Sequence, residues 1–282
     1  MRPYYGPFME NEVEVYQEDS LYGVRVLYKA GDSVDIPCRY DSFAILSGYT
    51  VAFKKNGKWG VLNHQNKVLC KFIYDRIEKK DKHSHLSMAM RDGRWGLIFS
   101  DGSPATDFNN DQIKSISTEY RDINRMEYGG MEYERSHLEL YCAWVLYRNG
   151  KAYIYDDRGE MTFPRGFDNV YGVVQCGRLQ YFIVENNSKL GLLSRERLVC
   201  DCIYEDIQQL HPYMGANSSF VSFCYAGVKK DGKWGVIGEN GSLILRCEFE
   251  KICVVGDTLA LRHNLKWGVL PIHLLYQLEE DV

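Results

Sequence analysis

One phrase recurs along the chain, and it limits the folds open to it. Asn56-Gly57-Lys58-Trp59-Gly60-Val61-Leu62 returns as Asp92-Gly93-Arg94-Trp95-Gly96-Leu97-Ile98. It returns again as Asp231-Gly232-Lys233-Trp234-Gly235-Val236-Ile237 and as Asn264-Leu265-Lys266-Trp267-Gly268-Val269-Leu270. Degenerate copies stand at Asp19–Val24, Asn149–Tyr155 and Asn187–Leu193. Aligned on the glycine column, the copies recur every ~41 residues, a period typical of repeat architectures. A chain built this way folds as an array of like units rather than around one central core.

Each unit reads as β-structure. An Asn-Gly or Asp-Gly pair supplies the positive φ of a tight hairpin, with one strand before it and the Lys-Trp-Gly-Val-Leu strand after it. A second turn and a short third strand follow, as in Lys67–Cys70. A second phrase then reads as a fourth strand: Tyr40-Asp41-Ser42-Phe43, Tyr74-Asp75-Arg76-Ile77, Phe167-Asp168-Asn169-Val170, Tyr204-Glu205-Asp206-Ile207 and Phe249-Glu250-Lys251-Ile252, with a weaker copy at Asn110–Ile113. Turn signals every eight to ten residues predict an all-β fold. The high Tyr content (21 residues) suits strands. The expected architecture is a seven-repeat, β-propeller-like array of four-stranded meanders forming one domain over 1–282. An open superhelical array of β-hairpins is the alternative. The last repeat has a candidate third strand at Leu274–Leu278 and then ends, while Tyr4–Phe8 resembles a fourth strand with no repeat before it. A strand donated from the N-terminus would complete the last unit and remove its exposed edge.

The Gly-Lys-Trp-Gly-Val phrase followed by Tyr-Asp-x-Ile resembles the WG-repeat (KWG-repeat) family, over Asp19 to Leu270. The resemblance implies a bacterial, β-rich repeat protein without catalytic activity that mediates interactions. The chain departs from the family pattern at Ala152-Tyr153 and Leu190, where two successive repeats lose the tryptophan.

Composition narrows the function. With 34 basic and 38 acidic residues the net charge is −4, which argues against gripping nucleic acid by bulk charge. No apolar run approaches the ~20 residues of a membrane span. The first residues, Met1-Arg2-Pro3-Tyr4-Tyr5-Gly6-Pro7, lack the apolar core of an export signal, so a cytoplasmic location is expected.

The repeated residues admit two uses. Trp59, Trp95, Trp234 and Trp267 could stack on sugars or bases. Mid-strand, each beside Gly60, Gly96, Gly235 or Gly268, they read better as packing between repeats. Asp41, Asp75, Asp111, Asp168, Glu205 and Glu250 could ring a cation. A matching basic column (Lys58, Arg94, Lys151, Lys189, Lys233, Lys266) points instead to one ion pair per repeat. Cys38, Cys202 and Cys247 each stand three residues before the acid and read as small buried apolar side chains. Neither these nor His83-Ser84-His85 make a metal framework. No catalytic signature stands out, so no catalytic residue, metal or cofactor is expected.

The most individual stretch is an insertion at 118–137, read as a loop with a Gly129-Gly130 turn or hinge. Its Tyr120, Arg121, Arg125, Met126, Tyr128, Met131 and Tyr133 are residue types enriched at interface anchors. The expected function is therefore a noncatalytic interaction scaffold whose partner is another protein. A small-ligand or glycan-binding propeller, and an enzyme using non-repeated loop residues, are the competing readings. Variable turns count against one equivalent ligand per repeat.

Overall fold

The computed structural model describes residues 12–27, 33–47, 50–80, 84–128, 131–176, 179–194, 197–210, 225–238, 240–256 and 258–280. Side chains are described at all of these except 12–13, 117–142, 173–176, 179–180, 276 and 279–280. The segment Tyr4–Phe8, expected to donate a strand, lies outside them.

The chain is all-β, folded as seven antiparallel sheets in sequence order. The first holds β1 (Glu12–Glu18), β2 (Leu21–Leu27) and β3 (Ser33–Tyr40). The second holds β4 (Ser42–Ser47), β5 (Thr50–Lys55), β6 (Lys58–Asn63) and β7 (Val68–Tyr74). β8 (Arg76–Glu78), β9 (Ser87–Arg91) and β10 (Arg94–Ile98) form the third, and β11 (Gln112–Tyr128), β12 (Met131–Arg148) and β13 (Lys151–Tyr155) the fourth. The fifth comprises β14 (Asn169–Cys176), β15 (Leu179–Asn186), β16 (Lys189–Leu193) and β17 (Leu198–Tyr204). The sixth comprises β18 (Asp206–Leu210), β19 (Tyr225–Lys230), β20 (Lys233–Ile237) and β21 (Leu243–Phe249). The seventh has β22 (Lys251–Val255), β23 (Thr258–His263) and β24 (Lys266–Pro271), followed by a 3₁₀ turn at Ile272–Leu274 and the helix α1 (Leu275–Glu280).

The hairpin between the two central strands of each unit forms as its residues dictate. Asn56 and Gly57 both take positive φ (52° and 79°), the geometry of a type I′ turn whose twist matches the strands.

Three expectations change. First, the Tyr-Asp-x-Ile phrase is not one strand. Tyr74 ends β7, Asp75 bends, and Arg76 opens the next sheet. The same break falls at Asp41, Glu205 and Glu250. Each of the six acids donates its backbone N–H to a carbonyl on a strand of the following unit, at 2.7–2.8 Å (Asp75 to Met90, Glu205 to Lys229). That bond turns the chain from one sheet into the next.

Second, among the described residues three of the seven sheets have four strands. In the third and fourth, isolated bridges (Trp95 to Asn110, Ile98 to Pro104, Ala152 to Phe167, Tyr155 to Met161) stand where a last strand is expected. Pro104 and Pro164 have no N–H for a ladder bond. In the seventh, Leu274–Leu278 is helical rather than a strand, and Leu275 joins Ile272 of the preceding 3₁₀ turn in the apolar core between the sixth and seventh sheets.

Third, the insertion at 118–137 is not a loop. It lies within the paired strands β11 and β12, of 17 and 18 residues. The other strands have at most eight residues among those described.

The chain divides into two compact units. One comprises Met1–Ser117, Cys142–Asn149 and Tyr153–Met161, and the other Thr118–Tyr141, Gly150–Ala152 and Thr162–Val282. Within each, neighbouring sheets pack face to face. In the first unit, Val24, Ile36 and Tyr40 meet Val51, Phe53 and Leu62, and Val61 and Tyr74 meet Ile77, Ala89 and Ile98. In the second, Leu192 and Tyr204 meet Ile207, Val228 and Ile237. These apolar layers, removed from water, hold the sheets together.

Candidate functional site

The repeated residues converge on one arrangement. In the second sheet β6 and β7 pair with Trp59 opposite Tyr74 but Val61 opposite Cys70, so β7 carries two extra residues across from Gly60. This bulge presses on the glycine. A Cβ on Gly60 would lie 2.9 Å from the Cys70 carbonyl oxygen and 3.0 Å from the Phe72 ring. The same collision would occur at Gly23 with the Ile36 oxygen (2.6 Å), Gly191 with the Cys200 oxygen (2.7 Å) and Gly235 with the Leu245 oxygen (2.5 Å). At Gly96 the Phe108 ring lies 3.0 Å away. The glycine is required by the bulge of the strand beside it.

The tryptophans serve the same contact. Trp59, Trp95 and Trp234 are half-buried against the inter-sheet cores, and Trp234 pairs across from Phe249. Trp267 differs, at 54% exposed.

The charged columns meet. Lys151 Nζ lies 2.5 Å from Asp168 Oδ1, Lys233 Nζ 2.8 Å from Glu250 Oε1 and Lys189 Nζ 3.5 Å from Glu205 Oε1. Lys58 pairs with Asp75 and Arg94 with Asp111. Among the described residues Asp41 has no such partner, and Leu21 occupies the cation position of the first repeat. Four of these carboxylates, Asp75, Asp168, Glu205 and Glu250, do more than pair. Asp75 accepts the backbone N–H of Asp92 at 2.8 Å, Asp168 that of Asn187 at 2.7 Å and Glu205 that of Gly232 at 3.0 Å. The acid thus staples the cation of one sheet to the hairpin turn of the next. The Lys58 ammonium beside it, then the turn N–H groups, hold Asp75 below its ordinary range. Lys151 does the same for Asp168, the Gly232 N–H for Glu205 and Lys233 for Glu250.

The cysteines of this column are half-buried, not fully enclosed as expected. At the centre of the bulge, each thiol donates to a carbonyl two strands back in the same sheet, across the glycine strand: Cys38 to Tyr16 at 3.7 Å, Cys202 to Val184 and Cys247 to Val228 at 3.8 Å. A short polar hydrogen at the bulge satisfies a carbonyl there. Burial pushes the neighbouring Cys200 thiol up to about 12.

Among the described residues, no group of three or more His, Cys, Asp or Glu is placed to hold a metal ion. His83 lies outside the described residues. His85 is exposed, and Ser84 between them is buried. Ser84 Oγ accepts the N–H of Leu86 at 3.0 Å and the indole N–H of Trp144 at 3.3 Å. Trp144, fully buried, is the tryptophan that the repeat phrase does not reveal, because it stands outside the Trp-Gly frame. Its apolar neighbours in β12, Ala143, Val145 and Leu146, were the available signal.

Of the candidate interaction residues, Tyr120, Arg121, Arg125, Met126 and Tyr128 lie on β11, and Met131 and Tyr133 on β12. Their backbones are strand and their side chains lie outside the described residues.

No family model matches the chain, and no curated protein does. Among solved structures it is similar to a eukaryotic initiation factor, at 10% identity over 95% of this chain and 72% of that one, with a TM-score of 0.36. It is also similar to the dihydro-haem d1 dehydrogenase NirN in complex with DHE (12%, 96% and 75%, TM-score 0.26). A third likeness is to the acylaminoacyl peptidase of Pyrococcus horikoshii (14%, 89% and 46%, TM-score 0.25). Likenesses this distant say nothing about activity. Among the described residues, no helix is long and apolar enough to cross a membrane.

Proposed function

We propose that this chain is a noncatalytic binding module of the WG-repeat type that docks another protein in a bacterial cytoplasm. The reading rests on a division of labour. From the second repeat to the sixth, the column's cations and acids join one sheet to the next, and the tryptophans that are present pack against the inter-sheet cores. The feature that breaks the repeat is the hairpin of β11 and β12, whose strands exceed twice the length of any other described. That hairpin carries the Tyr, Arg and Met residues that make interface anchors. A scaffold that keeps its repeats regular and lengthens one hairpin is suited to presenting that hairpin.

The test compares two baits in lysate of the host: the intact chain, and a chain with Glu119–Ser136 replaced by a short Gly-Ser linker. Both are first shown to melt alike. A partner retained by the intact chain and lost from the shortened one supports the reading. Equal retention by both overturns the assignment to the hairpin.

A further inference from the structure

The ribbon of β11 and β12 keeps one register from base to tip. In five other sheets the acid before the first strand donates its N–H to the residue that pairs with the position after the acid. Asp75 donates to Met90, which pairs with Arg76, and Glu205 donates to Lys229, which pairs with Asp206. Asp111 donates to Tyr147 at 2.8 Å, so Gln112 stands opposite Tyr147. At the far end β11 stops at Tyr128 and β12 starts at Met131, which sets these two opposite each other. The two points are equally far apart on both strands, 112 to 128 and 131 to 147, so the register runs unbroken between them. Ile113 and Leu146, opposite in this register, lie in one apolar core. Opposite residues share a face, and faces alternate along a strand. Every Tyr and Met of residues 118–141 therefore falls at a position on one face: Tyr120, Met126, Tyr128, Met131, Tyr133 and Tyr141. The tip of the other face sets Glu127 opposite Glu132. A two-stranded ribbon is marginal in water until a face is covered, and β13, with five residues, cannot accompany this one over its length.

We propose that the Tyr and Met face pairs with the same face of a second copy of this chain, about a two-fold axis along the ribbon. The proposal goes beyond the binding-module reading, because it gives one face of the hairpin to a dimer and leaves the charged face to a partner. The two-fold lays the β11 column of one copy over the β12 column of the other, so residues opposite within a chain also meet between chains. The sequence suits that operation row by row. Tyr128 would meet Met131 and Met126 would meet Tyr133, each a sulfur–aromatic pair. Asp122 would meet His137 and Asn124 would meet Arg135, so the acid lies in one column and the cations in the other. No row of this face sets like charges together. The opposite face fails the same operation, because Glu127 would meet Glu132. The six rows from Thr118–Tyr141 to Tyr128–Met131 give twelve positions a copy. That is about half the 20–30 residues a side of a standard interface, so the dimer is weak and concentration-dependent.

The test is sedimentation velocity of the intact chain over a wide range of concentration, where a reversible monomer–dimer equilibrium is expected. Met126→Glu with Met131→Glu puts carboxylates into an apolar contact and should weaken the dimer at least about tenfold. Glu127→Gln with Glu132→Gln, on the other face, should leave it within about twofold. Asp122→Arg should weaken it about two- to fivefold, the range of an exposed ion pair, and adding His137→Asp should restore it. Melting temperatures are compared first, and the charge swap keeps the test decisive if the methionine variant melts lower. A chain that is monomeric at every concentration, a dimer that survives the methionine variant, or a dimer lost from the Glu127 and Glu132 variant overturns the proposal and leaves the binding-module reading standing. A monomeric chain whose captured partner is lost with the methionine variant gives the face to that partner and overturns the second copy.

Discussion

The backbone N–H of Asn187 donates to Asp168 Oδ2 at 2.7 Å, while Oδ1 of the same carboxylate meets Lys151 at 2.5 Å. One side chain thereby ties the Lys-x-x strand of one repeat to the hairpin turn of the next. The two bonds are unequal in kind. The ion pair is solvent-exposed and screened. The bond to the turn is a charge-assisted hydrogen bond to an N–H held by the hairpin. Asp168→Ala is therefore expected to lower the melting temperature more than Lys151→Gln does, and the double variant to resemble Asp168→Ala. Thermal unfolding of the three chains checks the order.

Acid should weaken the whole array. Asp75, Asp168, Glu205 and Glu250 all titrate below their ordinary values of 3.8 (Asp) and 4.5 (Glu) in the folded chain. The folded state then binds fewer protons than the unfolded one, so stability rises with pH in this range. The contribution is present in full above the unfolded carboxylate values and is lost as pH falls through the depressed folded ones. Urea midpoints should hold steady near neutrality and drop below about pH 4.5. A chain carrying Lys58→Gln and Lys233→Gln should show a shallower drop.

The glycines of the column differ in what a side chain there would meet among the described residues. Gly235→Ala forces a methyl to within 2.5 Å of the Leu245 carbonyl and should cost about 1–3 kcal/mol, the range of overpacking. Gly268→Ala meets nothing and should change stability by less than about 0.5 kcal/mol. Denaturant unfolding of the two variants gives both numbers, and equal effects would refute the bulge account.

Leu265 occupies the turn position that glycine fills in four other repeats, with φ at 63°. A left-handed conformation is costly for a leucine, while glycine adopts it freely but loses more entropy on folding. Leu265→Gly should net about 0.5–1 kcal/mol of stabilisation. A lower unfolding midpoint would contradict that.

Burial holds Cys200 protonated, with its titration pushed up to about 12. The thiolate is the nucleophile, so this cysteine should resist iodoacetamide at pH 8 in the folded chain. Peptide mapping should find it alkylated only after denaturation.

Much of this fold is readable in the chain itself. The Asn-Gly turns, the Trp-Gly strand and the recurrence of acid after cation are local features, and local chemistry decides them. The sheet boundary was harder. Tyr74-Asp75-Arg76-Ile77 alternates like one strand, and only the bond from the Asp75 N–H to the Met90 oxygen, a contact with the following sheet, splits it. The hairpin of β11 and β12 was hidden by its charge, since Glu, Arg and Asp residues fill positions that a buried strand would make apolar. The helix at Leu275 buries that side chain in the core shared by the sixth and seventh sheets, a tertiary fact with no local sign.

The central claim is that the repeated residues build the scaffold and the repeat-breaking hairpin binds. The most direct test is the affinity of a captured partner for three chains: intact, hairpin-shortened, and Lys58→Gln with Lys233→Gln. The account predicts that shortening abolishes binding without lowering the melting temperature, while the lysine variant melts lower and binds as the intact chain does. Binding that survives shortening but is lost from the lysine variant at a temperature where it is folded would contradict it.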